Sequence, residues 1–201
     1  MILSDRDIKE RIKKGDLVIG PLEDEDQIGP ASVDLRLDKK FRVFKLSDHA
    51  MIDLHDYNDK KLQEFETHGG TKVIEHEYTR LYEMDKPFIL HPGEFALASI
   101  LETVSVPRDL VGRLEGRSSL GRIGLMVHST AGVVAPGFAG NLTLELANVG
   151  KLPIKLYPGM RICQIVFDEL KSPAEVPYGE RKDSKYQNQT GANGSRIKDE
   201  M

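Results

Sequence analysis

The segment LTLELA at positions 142–147 alternates strictly along its length. Its apolar positions are Leu142, Leu144 and Leu146, and the positions between them hold Thr143, Glu145 and Ala147. Successive side chains of a β-strand point to opposite faces, so the alternation predicts a half-buried strand. The leucines would then fill the core, and Glu145 would lie on the opposite face.

The carboxylate of Glu145 has two interpretations. In the first it is a solvated strand position, as most strand carboxylates are. In the second it faces a pocket and transfers protons. A turn earlier in the chain favours the second, because Arg117, Ser118, Ser119 and Arg122 combine two permanent cations, two hydroxyls and adjacent glycine amides. Such a turn is suited to oxyanions, of which phosphate is the natural example.

Short strand-like segments separated by turns extend over most of the chain. They are LVI, SVDLRL, KFRVF, ETVSVP, DLVGRLEG, LTLEL and LPIKL. HPGEFALASI at 91–100 and YPGMRICQIVF at 157–167 each place Pro-Gly, a turn signal, before an apolar strand. The pattern indicates a mainly β fold, an antiparallel barrel or jelly roll. A short helix from Ser4 to Lys14, with Ser4 as N-cap and Gly15 beyond its end, precedes the strands.

Length and composition are those of a single domain spanning 1–201. The 201 residues are 39% hydrophobic, enough for a sizeable core, and the formal net charge of −4 gives no basic field for binding nucleic acid. No apolar run approaches the roughly 20 residues that cross a bilayer, and no signal-peptide pattern begins the chain. We therefore expect a cytoplasmic protein with no membrane partner. The single cysteine, Cys163, excludes an intramolecular disulfide, and its apolar surroundings predict a core position.

Two polar features have both a functional and a structural interpretation. Asp34 in SVDLRL either serves a site, or makes a structural hydrogen bond or lies on a solvated face, and we expect one of the latter two. Residues 47–85 are highly charged and carry histidines at 49, 55, 68 and 76. Their spacing matches no metal-ligand pattern, so we expect an insertion or loop with exposed histidines.

The tail from 178 to 201 is polar and contains almost no core-forming residues. By composition it is a disordered end, which could still order on binding substrate. Tyr178, Lys185 and Gln189 supply an aromatic surface, a point charge and an amide, a set able to close over a nucleotide triphosphate.

Two runs, GRSSLGRIGLMVHSTAG and PGFAGNLTLELANVGKLPIKLYPGMRI, strongly resemble the dCTP deaminases, which share a superfamily with the trimeric dUTPases. The resemblance extends through ILSDRDI, GPASVDLRL and FILHPGEFALA to SKYQNQTGANGSRI near the end, and so covers nearly the whole chain. It implies a dUTPase-like, double-layered antiparallel β-fold with a C-terminal lid over the nucleotide.

The resemblance also implies hydrolytic deamination of dCTP to dUTP and ammonia, a step that feeds the synthesis of dUMP and dTTP. Glu145 would be the general acid and base, while Ser118 and Arg122 would orient the attacking water and stabilise its developing charge. The residues expected to bind substrate are Arg117, Ser119, Leu120, Gly121, Ala131, Ala135, Thr143, Leu144, Tyr178, Lys185 and Gln189. Among them, the main chain near Ala131 would read cytosine, and the strand segment at 143–145 would lie along the base.

The reacting carbon is expected to be free of metal. Zinc-dependent deaminases carry a H-x-E…P-C-x-x-C signature, which this sequence lacks. Mg²⁺ would enter with the triphosphate and bridge its oxygens, so no dedicated protein metal site is expected. The resemblance further implies dTTP as a candidate inhibitor and a homotrimer with active sites between subunits. Residues 117–122 would come from one chain and Glu145 from another.

One turn departs from the family. Many members carry Asp in a TAGxID or TAHxID turn, where it contacts the deoxyribose and, in dUTPases, helps to activate water. Here TAGVVAPGF places Ala135 at that position, and a methyl group cannot accept a hydrogen bond or polarise a water. Gly132 favours a second, hydrolytic activity, because the chain resembles at this position the members that also hydrolyse the triphosphate to dUMP. We expect deamination alone, since the carboxylate is the more direct chemical loss.

Two alternatives stay open beside a dCTP deaminase that releases dUTP. One is a bifunctional enzyme giving dUMP and diphosphate from dCTP, or a plain dUTPase. The other is a catalytically silent, nucleotide-binding regulatory protein. Glu145 disfavours the last, because a sensor needs no general base.

Overall fold

The structure is a computed structural model that describes residues 1–45 and 51–200. These residues form two helices, α1 (Asp5–Lys14) and α2 (Ser118–Gly121). The strands are β1 (Val18–Gly20), β2 (Ile28–Gly29), β3 (Ser32–Phe44), β4 (Lys61–Glu66), β5 (Lys72–His76), β6 (Thr79–Glu83), β7 (Phe88–Leu90), β8 (Phe95–Ile100), β9 (Thr103–Ser105), β10 (Leu110–Gly116), β11 (Leu125–Met126), β12 (Val133–Val134), β13 (Ala139–Gly140), β14 (Thr143–Asn148), β15 (Ile154–Leu156) and β16 (Arg161–Glu169). Short 3-10 turns lie at Glu25–Gln27, Tyr178–Glu180 and Ile197–Glu200.

The long strand β3 lies at the centre of the main sheet, whose order is β11-β14-β8-β3-β16-β10-β12. Its first half pairs with β16 and its second half with β6 and β8, so β3 joins the two groups of strands. β1, β9 and β13 form a smaller sheet, and β7 pairs with β15. The pairs between these strands are antiparallel, which confirms the predicted mainly β, dUTPase-like fold. No strand pairing within the described ranges joins β11 to β12 to close a ring.

The segments SVDLRL and KFRVF, predicted as separate strands, are parts of one 13-residue strand, β3. Neither Gly nor Pro lies between Leu37 and Lys40, so no residue there favours a turn. The change occurs in the pairing instead, where the register of β3 against β8 shifts between Leu37 and Phe41. The polar residues at 38 and 39 therefore continue the extended backbone.

The alternation predicted at 142–147 is confirmed in β14. Leu144 and Leu146 are fully buried, while Thr143, Glu145 and Ala147 are half-buried. Burying a leucine side chain contributes about 2 kcal/mol, and a one-residue slip would turn both leucines out of the core. The register of β14 against β8, in which Glu145 lies opposite Leu97, therefore sets the direction in which the carboxylate points.

Helix α1 forms as predicted. Ser4 and Asp7 make a reciprocal capping box, and Gly15 ends the helix in the left-handed conformation at φ 84°. Ile8 of this helix is fully buried in the core. Cys163 on β16 is also fully buried, as predicted, and burial raises the pKa of its thiol.

Part of the segment 47–85, predicted to be an insertion or loop, instead forms strands between residues 61 and 83. β4, β5 and β6 pair in sequence order, and β6 pairs with β3, so the segment extends the main sheet. Every residue of β4 is exposed, and its sequence KLQEFE lacks the apolar alternation by which a strand is recognised. His55 and His68 are exposed, as expected, whereas His76 is partly buried. His49 lies outside the described residues.

Candidate active site

Glu145 lies in the wall of a cavity of about 550 Å³ between β14, β12 and the C-terminal tail. Most of the wall is apolar, formed by Phe44, Phe95, Leu97, Leu114, Val133, Val134, Phe138 and Leu142. Small-molecule sites are usually concave and largely apolar, with a few polar groups that orient the ligand. The cavity has this composition, and Glu145 is the acidic side chain in its lining.

Two hydrogen bonds to main-chain atoms hold Glu145. Its amide donates to the carbonyl of Val127 at 3.0 Å, and its Oε2 accepts from the amide of Ser129 at 2.8 Å. Both partners belong to the segment that links β11 to β12. That segment is itself anchored to β10, because the amide of Leu114 donates to the carbonyl of Gly132 at 2.7 Å. Strand and loop together place the carboxylate at the cavity.

Two buried polar atoms in the cavity wall have no hydrogen-bond partner among the described residues, Oγ1 of Thr143 and Oε1 of Gln189. Thr143 lies two positions before Glu145 and so shares its face of β14. Buried polar atoms without partners are uncommon in native proteins, and a polar ligand would satisfy these two. They support a binding site at this cavity.

The cavity brings together six of the predicted site residues, namely Ala131, Ala135, Thr143, Glu145, Tyr178 and Gln189. Sequence reasoning missed Tyr186, Asn193, Gly194 and Ser195, which also line it. The amide of Tyr186 donates to the hydroxyl of Tyr178 at 3.1 Å, so the two aromatic residues are joined. The family resemblance implied a lid, but nothing in the composition of the tail distinguished the residues that face the cavity.

The C-terminal tail lies along β13. The amide of Asn188 donates to the carbonyl of Ala139 at 2.7 Å, and the carbonyl of Gln189 accepts from the amide of Asn141 at 3.0 Å. Nε2 of Gln189 also donates to the carbonyl of Asn141 at 2.8 Å. These contacts favour the lid interpretation of the tail over a detached end.

The predicted turn at 117–122 does not line this cavity. Its members in α2 are Ser118, Ser119, Leu120 and Gly121, followed by Arg122. Apart from Leu120, which is partly buried, these five are exposed. Within one protomer the turn therefore presents its hydroxyls and Arg122 to the outside.

Arg117, at the start of the same turn, is held by its neighbours. One guanidinium nitrogen lies 3.3 Å from the carboxylate of Asp34, and another donates to the carbonyl of Arg161 at 3.3 Å. Asp34 also lies 3.5 Å from the guanidinium of Arg161. The structural role expected of Asp34 is thus an ion pair with two arginines.

Two further predicted substrate residues lie elsewhere. The side chain of Leu144 is fully buried in the core, so its part in a site is limited to main-chain atoms. Lys185 does not line the cavity, and its ammonium is paired with Glu200. The hydrogen bond that the ammonium donates to Glu200 raises the pKa of Lys185, which therefore stays cationic.

Within residues 1–45 and 51–200, no three His, Cys, Asp or Glu side chains form a group that could hold a metal ion. Likewise, no helix in the described part of the chain is long and apolar enough to cross a membrane.

A model of the dCTP deaminase-like family matches residues 2–170 of the chain. A protein of Methanosphaera stadtmanae named dCTP deaminase, dUMP-forming, is 50% identical over 201 residues, which cover 100% of this chain and 95% of the relative. A protein of Natronomonas pharaonis named dCTP deaminase is 48% identical over 198 residues, covering 98% of this chain and 95% of the relative.

Among solved structures, the 2′-deoxycytidine 5′-triphosphate deaminase of Agrobacterium tumefaciens matches with a TM-score of 0.58 at 22% sequence identity. The match covers 83% of this chain and 47% of that one, so this chain spans about half of its length. At this identity the likeness concerns the fold, and it agrees with the β architecture described above.

Proposed function

The chain belongs to the dCTP deaminase-like family, and on this basis we propose that it is an enzyme that converts dCTP to dUMP, ammonia and diphosphate. The observation that carries the deamination step is the position of Glu145. Its carboxylate is held by a main-chain amide in the wall of a largely apolar cavity. A protein that only sensed nucleotides would gain nothing from a carboxylate held in this way.

Glu145 supplies the proton transfers of deamination. It takes a proton from a water molecule as the oxygen attacks C4 of cytosine, and it delivers that proton to N3. It then moves the proton of the new hydroxyl to the amino group, so that ammonia leaves and the C4 carbonyl of uracil forms. Oγ1 of Thr143 and Oε1 of Gln189, which lack partners among the described residues, are available to orient the base and sugar.

The groups that position the attacking water come from a second copy of the chain. Ser118 and Arg122 are exposed on the turn outside the cavity, while Val133 in the cavity wall is 69% exposed. A neighbouring subunit that covered the wall with its own turn would exclude water and complete the site at one time. This supports a homotrimer with active sites between subunits.

The triphosphate, carrying its Mg²⁺ as part of the substrate, binds to the cations and donors around the cavity. Arg117 and Ser119 of the neighbouring turn donate to its oxygens, and Lys185 of the tail would join them by exchanging Glu200 for a phosphate oxygen. Mg²⁺ would arrive with the triphosphate and would offset the negative charge of its oxygens, so it would need no protein cage. dTTP has the same sugar and triphosphate, and it is the expected competitor.

Cleavage of the triphosphate is proposed against the expectation drawn from Ala135. Relatives about half identical over nearly the whole chain are named as dUMP-forming, which favours dUMP over dUTP as the product. Ala135 lines the cavity, but its methyl group cannot polarise a water. The water that attacks the phosphorus must then be held by another acceptor in the site. Deamination alone, favoured by Ala135, remains the second candidate.

Gly132 has a packing role that is separate from product choice. A Cβ at this position would lie 3.2 Å from both Cε1 of His128 and the carbonyl oxygen of Leu114. Both neighbours would have to shift slightly to admit a side chain. Gly132 by itself therefore gives weaker support for dUMP formation than its similarity to bifunctional relatives suggests.

The test is to incubate the protein with Mg²⁺ and dCTP, separate the nucleotides, and assay ammonia and diphosphate. Equal amounts of dUMP, ammonia and diphosphate are the expected result. Accumulation of dUTP with ammonia and no diphosphate would reject the second step and support deamination alone. Absence of ammonia would reject the deaminase and support the regulatory alternative.

A further inference from the structure

The tail approaches the rest of the protein at a second place, beyond the contact of Gln189 with β13. Gly191 and Ala192 are buried there. Gly191 adopts φ 72°, and a Cβ on it would lie 2.9 Å from Cδ of Lys40 on β3. The tail therefore turns closely against β3 just after the residue that lines the substrate cavity.

A buried arginine of β3 holds the tail at this turn. Arg42 is only 7% exposed, and its Nε donates to the carbonyl of Ala192 at 3.0 Å. The other arm of the same guanidinium points to the segment 51–85. Its Nη1 lies 3.0 Å from the carboxylate of Asp59 and 2.8 Å from the hydroxyl of Thr79.

Asp59 is itself held by the segment in which it lies. Its carboxylate accepts from the amides of Tyr78 at 2.8 Å and Thr79 at 3.1 Å, and also from the Thr79 hydroxyl. Tyr57 packs against Tyr78 with 5.0 Å between ring centroids, and burial raises the pKa of Tyr57 to about 12. The side chain of Asp59 is 6% exposed and that of Arg42 is 8% exposed, so the two form a buried ion pair.

The tail and the segment 51–85 otherwise face each other across a second, polar cavity of about 310 Å³. Asp59 and His76 lie on one side of it and residues 193–196 on the other, with Arg42 in its wall. Gly194 of the tail comes close to Asp59 here, since a Cβ on it would lie 3.6 Å from Oδ2 of the carboxylate. The guanidinium of Arg42 adds hydrogen bonds to both parts.

We propose that Arg42 and Asp59 are positioning residues for the substrate lid, and that the segment 51–85 serves the active site by holding Arg42 in the orientation that clamps Ala192. The clamp lies three residues beyond Gln189 and so restricts the part of the tail that closes the cavity. The expected effect on substrate binding rests on the proposed function, whereas the expected effect on local opening of the tail does not.

Arg42→Lys separates the clamp from the ion pair. Lysine keeps the positive charge for Asp59 but lacks the planar fork that reaches two partners, so the bond to Ala192 is lost. Asp59 keeps its bonds from Thr79 and Tyr78, which preserves the fold of the segment. Arg80→Lys is the matched control, because Arg80 on β6 pairs with Glu75 and does not touch the tail.

Hydrogen exchange of the full-length protein without nucleotide is the first measurement. In Arg42→Lys, amides at 186–193 should exchange roughly tenfold faster or more, since a lost charge-assisted bond changes local opening by about that factor. Amides of β10 and β16 should be unchanged, and Arg80→Lys should match the parent protein throughout. Unchanged tail amides would overturn the proposal. Faster exchange across the whole protein would overturn it as well, because Arg42 would then support the fold in general.

Steady-state kinetics with Mg²⁺ and dCTP is the second measurement. A looser lid should raise KM by roughly tenfold while kcat changes little, because the lost contact acts on substrate binding and not on the proton transfers. A fall in kcat at unchanged KM would contradict a lid role. If neither the parent nor Arg42→Lys released ammonia, the proposed function would fail. The hydrogen-exchange result would still test whether Arg42 holds the tail.

Discussion

The main-chain amide of Ser129 donates a 2.8 Å hydrogen bond to Oε2 of Glu145. The bond joins the loop after β11 to the centre of β14, and it orients the carboxylate before any ligand is bound. A group that exchanges protons with a substrate benefits from such placement, because misorientation by about 1 Å lowers the rate severely.

Glu145→Gln should remove ammonia release and leave nucleotide binding nearly intact. The amide side chain has the same shape and its oxygen can still accept from Ser129, but it cannot act as a base at neutral pH. We expect kcat for dCTP to fall at least about 100-fold, with Kd measured by calorimetry close to that of the parent. Glu169→Gln, which alters an exposed carboxylate at the end of β16, is the control. Ammonia release unchanged by Glu145→Gln would remove Glu145 from the mechanism.

Mixed oligomers should test whether sites lie between subunits. Glu145→Gln and Arg122→Ala are each expected to be inactive alone. If the turn and the strand of one site come from different chains, co-refolding equal amounts should restore up to about a quarter of parental activity, since a quarter of the interfaces pair two intact halves. No recovery in verified mixed trimers would mean that both residues act within one chain.

Asp34→Asn should weaken dCTP binding without removing catalysis. Asp34 lies 3.3 Å from Arg117, so its charge helps to orient a residue proposed to bind the triphosphate. Binding should weaken by roughly two- to fivefold, the range set by a partly exposed ion pair worth up to about 1 kcal/mol. Asp24→Asn is the control, because Asp24 pairs with Arg161 at 2.9 Å and not with Arg117. Equal effects of the two variants on Kd would refute the role given to Asp34.

Cys163 should be unreactive in the folded protein and should lower stability at alkaline pH. Burial raises the pKa of its thiol above the value in the unfolded chain, so the contribution of the neutral thiol is complete below that value. As pH rises above the thiol pKa of the unfolded chain, the unfolded state loses the thiol proton while the folded state keeps it. The free energy of unfolding then falls by at most about 1.4 kcal/mol per pH unit. Denaturant unfolding at pH 8 and pH 10, with Cys163→Val as reference, measures the difference. A steeper decline in the parent is expected, and equal declines would contradict the assignment.

Several parts of the fold are predictable because their signals are local. The capping box of Ser4 and Asp7 and the alternation around Glu145 depend on neighbouring residues, and both are confirmed. β4 was missed because all its residues are exposed, and its stability comes from pairing with β5 rather than from an apolar face. The continuity of β3 was missed because its partners change at a distance in sequence.

In the candidate site, too, local signals were predictable and contacts between distant residues were not. The motif around Glu145 and the polar tail indicated a nucleotide site, and Glu145, Thr143 and Gln189 do meet at one cavity. No local pattern indicated that Tyr186 lines the same cavity or that Lys185 pairs with Glu200. Those placements depend on how the tail turns against β13.

The sequence by itself determined the family, through the resemblance of its motifs to the dCTP deaminases, and it indicated the carboxylate to which we assign the chemistry. The class of fold followed from periodicity, which depends on neighbouring residues along the chain. Only the tertiary structure decided that 117–122 lies outside the cavity of its own protomer, and that Arg42 joins Asp59 to Ala192. Such contacts between distant residues arise when buried polar groups find their partners on folding, and no local pattern records which partner each will find.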